Sequence, residues 1–201
     1  MELLERQRMK YLPNALTIVR MLVTPAVLFL MFSDAFGPRA WGATLFILAS
    51  ISDYLDGKLA RHYGAGSKLG QFLDPVADKV LVLGTFAALY VLREDLVPFW
   101  AVATIAGRDL GVTVLRIWYT RTGRTLRTSS AAKWKTTFQL TFLITVLVMW
   151  AAALLPGEAG QWANWILHSM IIKGLLWATV AVTVATGFAY MASPQFDSED
   201  E

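Results

Sequence analysis

The residues of this sequence that are best suited to chemistry are four aspartates in a short stretch, Asp53, Asp56, Asp74 and Asp78. If the flanking segments are helical, the first pair is spaced i, i+3 and the second i, i+4, so each pair shares one helix face. The segment between them, residues 62–69, is rich in turn formers and would bring the two pairs together. Four crowded carboxylates repel one another unless cations hold them. The spacing therefore predicts a site for two divalent cations, and oxygen ligands without His or Cys favour Mg²⁺ or Mn²⁺ over zinc.

Aspartates at helical spacing usually belong to a solvated helix face. That interpretation does not fit here, because the segments that carry these four residues are otherwise apolar. An ionisable side chain in or near a membrane span is costly and marks a functional site by default. We therefore favour the metal site over the solvated face.

The composition indicates an integral membrane protein. Of 201 residues, 56% are hydrophobic and 16% are charged, and the mean hydropathy is +0.49. At roughly 20 residues per span, this length fits about six helices and leaves no room for a separate soluble domain. The net charge of +3 does not indicate nucleic-acid binding, since the basic residues lie mostly in loops beside spans, where anionic lipid and membrane orientation explain them. Cysteine is absent, which excludes disulfides and thiol chemistry.

The predicted fold is all-α, a bundle of about six transmembrane helices that forms a single domain over residues 1–201. A short interfacial helix is predicted over residues 1–12, and a disordered acidic tail over residues 194–201. The predicted spans are about Pro13–Phe32, Ala40–Ala60, Leu73–Leu92, Val97–Tyr119, a fifth that ends near Leu155, and Trp165–Met191.

The distribution of basic residues predicts the orientation. The N-terminal segment, the turn after the first acidic pair and the loop from Thr120 to Lys135 hold most of them, whereas the opposite loops hold only Arg39 and Arg93. By the positive-inside rule, both termini and the four aspartates face the cytoplasm.

The same stretch carries a family signature. The pattern D-x-x-D-G-x-x-A-R-x8-G-x3-D-x3-D is matched at every fixed position from Asp53 to Asp78, and it resembles the signature of the CDP-alcohol phosphotransferases, integral membrane enzymes of phospholipid synthesis. The resemblance implies that an alcohol attacks the β-phosphate of a CDP-linked lipid, that CMP leaves, and that the protein is a homodimer. It also implies that the four aspartates bind the metal ions and that Asp78 is the base. The residues implied to line the nucleotide site are Asn14, Gly57, Ala60, Arg61 and Gly70.

Two further segments resemble the bacterial phosphatidylglycerophosphate synthases of this family. They are the opening Leu12–Arg20 and a later set of Arg108-Asp109, Arg116, Lys133-Trp134-Lys135-Thr136 and Gln139. Those enzymes typically have Arg-Glu and Gly-Lys-x-Lys-Thr, so Asp109 and Ala132 are departures. The resemblance implies transfer of a phosphatidyl group from CDP-diacylglycerol to glycerol 3-phosphate in a bacterial cytoplasmic membrane.

The cations of this set also make physical sense as an acceptor site. A glycerol 3-phosphate acceptor carries a dianionic phosphate, which Arg and Lys side chains can clamp. We expect Arg108, Arg116, Lys133 and Lys135 to bind that phosphate, while Arg121, Arg124 and Arg127 serve topology and lipid contact.

Four other interpretations stay open on the sequence alone. The acceptor could be inositol phosphate or serine, or it could be phosphatidylglycerol, which would make the protein a cardiolipin synthase. An acidic intramembrane cluster could also belong to a divalent-cation transporter. A transporter needs a polar path to both faces, and between Val80 and Tyr90 only Thr85 offers a polar side chain.

Overall fold

The chain forms a helical bundle in the computed structural model. The structure describes residues 19–63, 68–121 and 131–192, and the side-chain surroundings of these residues except 53–63, 68–78, 116, 120–121 and 131–133. The interfacial helix predicted over residues 1–12, Asn14 and the acidic tail lie outside the described residues. All regular structure in the described part is helical, which confirms the all-α prediction. The helices are α1 Val19–Met31, α2 Phe36–Tyr63, α3 Lys68–Leu92, α4 Phe99–Arg121, α5 Ala131–Ala152, α6 Glu158–His168 and α7 Met170–Ala192.

Helix α5 lies at the centre of the bundle. It packs against α2, α3, α6 and α7, while α4 packs against α3 and α7. The core is filled by large apolar side chains that are fully buried, among them Phe46, Phe86 and Phe142. The rings of Phe86 and Phe142 stack with centroids 5.8 Å apart and planes 5° from parallel. These contacts fix α3 against α5.

The outer surface of the bundle is strongly apolar. Large hydrophobic side chains point away from the core on every helix from α1 to α7, with Phe29 79% and Val91 68% exposed. A soluble protein rarely presents such a continuous apolar surface. Within the part of the chain that the structure describes, two helical segments are long and apolar enough to cross a bilayer by length and composition, Trp134–Ala152 and Met170–Ala192, and two shorter apolar helical segments are Val19–Met31 and Lys79–Leu92.

The prediction of one continuous helix from Trp165 to Met191 is wrong. The chain breaks at Ser169, whose backbone is extended (φ −72°, ψ 162°). The Ser169 hydroxyl donates to the carbonyl oxygen of Ile166 at 2.6 Å, and its N–H donates to the same oxygen at 3.1 Å. These hydrogen bonds pair a carbonyl group at the C-terminus of α6, and they compete with the hydrogen bonds that would continue the helix. The break separates the short α6 from the apolar α7.

Helix α6 is amphipathic and lies at one end of the bundle. Its buried residues Gly160, Ala163 and Leu167 share one face. A side chain at position 160 would collide with the carbonyl oxygen of Leu155, so this close approach requires glycine. On the opposite face Trp162 and Trp165 are about three-fifths exposed, and their rings meet edge to face at 5.9 Å. Such tryptophans are typical of the membrane–water interface.

The same end of the bundle is tied together by five side chains that we call the clasp: Arg39, Arg93, Asp95, Trp150 and His168. The Arg39 guanidinium lies over the Trp150 ring, 4.0 Å from its centroid. Arg93 forms a two-point ion pair with Asp95 at 2.9 and 2.8 Å and contacts His168 Nε2 at 3.3 Å. Because these residues come from the start of α2, the α3–α4 loop, the end of α5 and the end of α6, all of these segments meet at one end.

The opposite end of the bundle therefore holds the end of α2, the start of α3, the end of α4, the start of α5 and the end of α7. This is the end that carries the four aspartates, and we call it the motif end. Asp53 and Asp56 lie in α2, and Asp74 and Asp78 lie in α3. The two acidic pairs thus lie on two consecutive helices, as the sequence predicted, while residues 64–67, which join these helices, lie outside the described residues.

Candidate active site

The motif end contains the predicted metal residues and, apart from Asn14, the predicted nucleotide residues on two consecutive helices. Asp53, Asp56, Gly57, Ala60 and Arg61 lie in the last three turns of α2. Gly70, Asp74 and Asp78 lie in the first three turns of α3. Their side-chain contacts lie outside the described residues, so the four-aspartate metal site stays a prediction. The donor chemistry and the helical spacing both fit a divalent cation.

A buried ion cluster joins α4 to α5 in the same half of the bundle. The Asp109 carboxylate, whose side chain is 3% exposed, lies 3.3 Å from Arg108 Nη1 and accepts a hydrogen bond from Lys135 Nζ at 2.5 Å. The side chains of Arg108 and Lys135 are only 13% and 12% exposed. A carboxylate between two cations offsets much of the cost of burying them. The structure thus brings together two of the four predicted acceptor residues.

The other two predicted acceptor residues lie on the same elements. Arg116 is on α4, eight positions after Arg108, and Lys133 is on α5, two positions before Lys135. Their side-chain contacts lie outside the described residues, as does the loop that carries Arg124 and Arg127. Their role at the acceptor phosphate therefore stays a prediction.

Helix α7 contributes a polar stripe that the sequence interpretation missed. Its residues Thr179, Thr183, Thr186 and Tyr190 follow one another at intervals of four, three and four, which places them on one helix face. This polar face could have been predicted from the sequence, because the hydroxyl residues recur at helical spacing within an otherwise apolar segment. The stripe faces the ion cluster, because Arg108 Nη2 donates to the Thr186 hydroxyl at 3.2 Å.

A glycine allows Arg108 to approach α7 closely. A Cβ atom at Gly187 would lie 2.8 Å from Arg108 Cγ and 3.3 Å from its Nε, which is too close for a normal contact. Next to this contact is a small apolar groove of about 230 Å³ between α4 and α7. Its lining includes Gly107, Gly111, Val184 and Phe188, together with Arg108. The groove is thus apolar and lies beside the ion cluster.

Several buried hydrogen-bonding atoms near the cluster have no partner in the part of the chain that the structure describes. They include Arg108 Nε, Gln139 Nε2, the Thr183 hydroxyl and the Tyr190 hydroxyl. Burying such a group without a partner costs about 1–3 kcal/mol. By contrast, the buried hydroxyls of Thr24, Ser50 and Thr85 each donate to the carbonyl one turn earlier in their own helix.

The chemistry of these atoms indicates what they would bind. All four can donate a hydrogen bond, and two of them, the guanidinium and amide nitrogens, can only donate. A set of unsatisfied donors beside a cationic cluster is complementary to a ligand rich in acceptor oxygens. Phosphates and hydroxylated phosphate esters have this character.

Comparison with known proteins agrees with this chemistry. The sequence profile of the CDP-alcohol phosphatidyltransferase family matches residues 10–189. A CDP-diacylglycerol–glycerol-3-phosphate 3-phosphatidyltransferase of Rickettsia typhi is 33% identical over 90% of this chain and 96% of its own. The enzyme of the same name from Bacillus subtilis is 32% identical over 90% and 93%. A probable phosphatidylglycerophosphate synthase of Mycobacterium tuberculosis H37Rv is 33% identical over 93% and 83%.

Proposed function

Since this chain belongs to the CDP-alcohol phosphatidyltransferase family, we propose that it transfers a phosphatidyl group from CDP-diacylglycerol to sn-glycerol 3-phosphate. The products are phosphatidylglycerophosphate and CMP. The observation that carries the choice of acceptor is the near full-length similarity to relatives that are named for this reaction. The cationic cluster with its unsatisfied donors supports it, because this acceptor brings a phosphate and two hydroxyls to the motif end.

In the proposed reaction the primary hydroxyl of glycerol 3-phosphate attacks the phosphorus atom that carries the diacylglycerol. A phosphorus–oxygen bond forms to the acceptor, the bond to CMP breaks, and the hydroxyl proton passes to the Asp78 carboxylate. Two divalent cations, Mg²⁺ or Mn²⁺, held by Asp53, Asp56, Asp74 and Asp78, would neutralise the pyrophosphate and the departing CMP. Asn14, Gly57, Ala60, Arg61 and Gly70 would line the nucleotide site.

The acceptor phosphate would lie among the cations of α4 and α5. Arg108 and Lys135 are already assembled by Asp109, and Arg116 and Lys133 lie further toward the motif end of the same helices. Guanidinium and ammonium groups in a partly desolvated pocket bind phosphate by charge-assisted hydrogen bonds. The apolar groove between α4 and α7 is suited to an acyl chain of the lipid substrate.

We further propose that the protein crosses a bacterial cytoplasmic membrane about six times, with the motif end and both termini in the cytoplasm, and that it is a homodimer. The apolar outer surface and the distribution of basic residues support this orientation. Charged residues lower the mean hydropathy of helices α2 and α4 below that of a typical membrane span. In the proposed function these same charged residues form the active site, where ionisable side chains within a span are expected.

A cation transporter is the candidate from another class, and one feature of α3 disfavours it. Thr85 is fully buried, and its hydroxyl donates to the Leu81 carbonyl of its own helix at 2.8 Å. The described stretch of α3 from Val80 to Leu89 therefore offers no free polar side chain to a passing ion.

An assay of the purified protein in proteoliposomes distinguishes a phosphatidyltransferase from a cation transporter. With CDP-diacylglycerol, glycerol 3-phosphate and Mg²⁺, we expect CMP and phosphatidylglycerophosphate in equal amounts and no Mg²⁺ flux. Cation flux without lipid product would overturn the proposed function.

A further inference from the structure

We infer that Gln139 and Thr183 determine acceptor specificity by binding the hydroxyl on the middle carbon of glycerol 3-phosphate. This inference rests on the proposed function and adds residues that bind a part of the acceptor to which no group has yet been assigned. Gln139 is 1% exposed and Thr183 is fully buried. Gln139 Nε2 and the Thr183 hydroxyl have no hydrogen-bond partner within the described residues.

Gln139 adjoins the cation cluster on α5. It lies four residues after Lys135, so the two side chains share one helix face about 5–6 Å apart. Lys135 reaches Asp109 on α4, which means that this face of α5 is directed toward the cluster. An acceptor whose phosphate is held by Lys135 and Arg108 would place its carbon chain about one helical turn away, within reach of the Gln139 amide.

Thr183 approaches the same region from α7. The Thr179 hydroxyl, one turn earlier, donates to the Leu175 carbonyl oxygen of its own helix at 2.7 Å and lies 3.3 Å from the Phe138 carbonyl oxygen, which places α7 against the residue next to Gln139. Thr186, one turn later, accepts a hydrogen bond from Arg108. Thr183 therefore lies between the contact of α7 with α5 and its contact with the ion cluster.

The chemistry of the two groups matches a neutral hydroxyl better than a phosphate. The charged donors of the cluster are the natural partners of the dianionic phosphate, whereas an amide N–H and a threonine hydroxyl are neutral. The oxygen of a substrate hydroxyl has two lone pairs and can accept from both Gln139 Nε2 and the Thr183 hydroxyl, so one group satisfies both orphaned atoms. A site built around such a hydroxyl discriminates against an analogue that lacks it, since the buried donors then stay unpaired.

The test uses 3-hydroxypropyl phosphate, which keeps the phosphate and the attacking primary hydroxyl of glycerol 3-phosphate and lacks only the middle hydroxyl. kcat/KM is measured for both acceptors with CDP-diacylglycerol and Mg²⁺ in the parent, Gln139→Met and Thr183→Val. Methionine keeps the length of the glutamine side chain and valine keeps the shape of threonine, so both variants remove polarity with little change of volume. Thr85→Val, which removes a buried hydroxyl that is already paired within α3, is the matched control.

We expect the parent to prefer glycerol 3-phosphate by at least about tenfold. Gln139→Met and Thr183→Val should each reduce this preference several-fold, with the KM for CDP-diacylglycerol unchanged, and Thr85→Val should retain it. A preference that is absent in the parent, or that survives both variants, would overturn the inference while leaving the transfer reaction intact. So would a change confined to the KM for CDP-diacylglycerol, because the two donors would then face the lipid. A parent that transfers to neither acceptor would overturn the proposed function itself.

Discussion

At the scale of single residues, Asp109 has the strongest structural role that the described contacts reveal. It is nearly inaccessible and contacts two cations that come from different helices. Their approach was not predictable from sequence, since Asp109 and Lys135 are 26 positions apart and lie on different helices, so that only the tertiary fold brings them together. The positions of charges inside the spans were predictable, because each charge interrupts an apolar run.

Replacing Asp109 by Asn should destabilise the protein, because it leaves two buried cations without their carboxylate. Loss of one partner from a buried ion pair typically costs about 3–5 kcal/mol. Asp109→Glu, which restores the charge, should recover part of the loss. The free energy of unfolding in detergent measures the effect. Asp34→Asn is the control, since the Asp34 carboxylate that pairs with Arg39 is 96% exposed and should contribute little. Equal stability of Asp109→Asn and the parent would show that the cluster is not a structural ion pair.

The four aspartates stay a predicted metal site, because carboxylates at this spacing on apolar helices would be costly without a bound cation. We expect Asp53→Asn and Asp74→Asn each to abolish turnover while the protein stays folded, since each removes a charged metal ligand. EDTA should have the same effect on the parent, and added Mg²⁺ should reverse it. Turnover is followed as CMP release, and circular dichroism checks the fold. Full activity in metal-free buffer would contradict the role assigned to the aspartates.

The cations of α4 and α5 should act on the acceptor and not on the lipid. Arg116→Ala and Lys135→Ala are expected to raise the KM for glycerol 3-phosphate, with little change in the KM for CDP-diacylglycerol, because the proposed metal ions would balance the lipid pyrophosphate. Lys at position 116 should rescue only partly, since it lacks the guanidinium fork. Arg124→Ala, in the basic loop, is the control and should leave both constants unchanged. If Arg124→Ala raised the KM for glycerol 3-phosphate and Arg116→Ala did not, the acceptor pocket would lie in the basic loop.

At the scale of elements, the structure differs from the sequence prediction mainly at helix ends. The extent of the apolar runs predicted the existence of the long helices, but α2 begins at Phe36 and α3 at Lys68, both earlier than expected. The break between α6 and α7 was not predictable from hydropathy, since Trp165–Met191 is apolar throughout except for a few residues. It depends on the local hydrogen bonds of Ser169, which compete with the helix only in this packing environment.

The clasp holds together four segments at the end of the bundle opposite the motif end. The hydrogen bonds from Arg93 hold the pKa of Asp95 below its ordinary value, and the nearby charge of His168 acts in the same direction. Burial lowers the pKa of Arg39, whose guanidinium lies over Trp150. These contacts join four separate segments, so their loss should loosen the end of the bundle without reaching the aspartates.

Acid should weaken the clasp in a defined pH range. Because the pKa of Asp95 is lower in the folded than in the unfolded state, the carboxylate contributes stability above its unfolded pKa of about 3.9. That contribution is lost as the pH falls through the folded pKa. We therefore expect the unfolding midpoint to decrease more steeply below about pH 4 in the parent than in Asp95→Asn. Since other carboxylates titrate in both proteins, the difference between the two curves is the measured quantity. Parallel curves would contradict the role of Asp95.

At the scale of the whole molecule, the two ends of the bundle differ in the chemistry of their side chains. The clasp end is closed by ion pairs and aromatic contacts. The motif end combines the aspartate helices, the buried cation cluster and the unsatisfied donors of α5 and α7. This asymmetry suits the proposed function, in which the phosphorylated acceptor arrives from the cytoplasm and the CDP-linked lipid enters from the bilayer with its nucleotide at the motif end.

The identity of the acceptor is the central claim, and a single competition experiment tests it. Purified protein is incubated with CDP-diacylglycerol, Mg²⁺ and an equimolar mixture of glycerol 3-phosphate, inositol phosphate, serine and phosphatidylglycerol, and the lipid products are identified by mass spectrometry. Phosphatidylglycerophosphate should be the dominant product and should form in step with CMP. Dominant formation of phosphatidylinositol phosphate, phosphatidylserine or cardiolipin would contradict the proposed function.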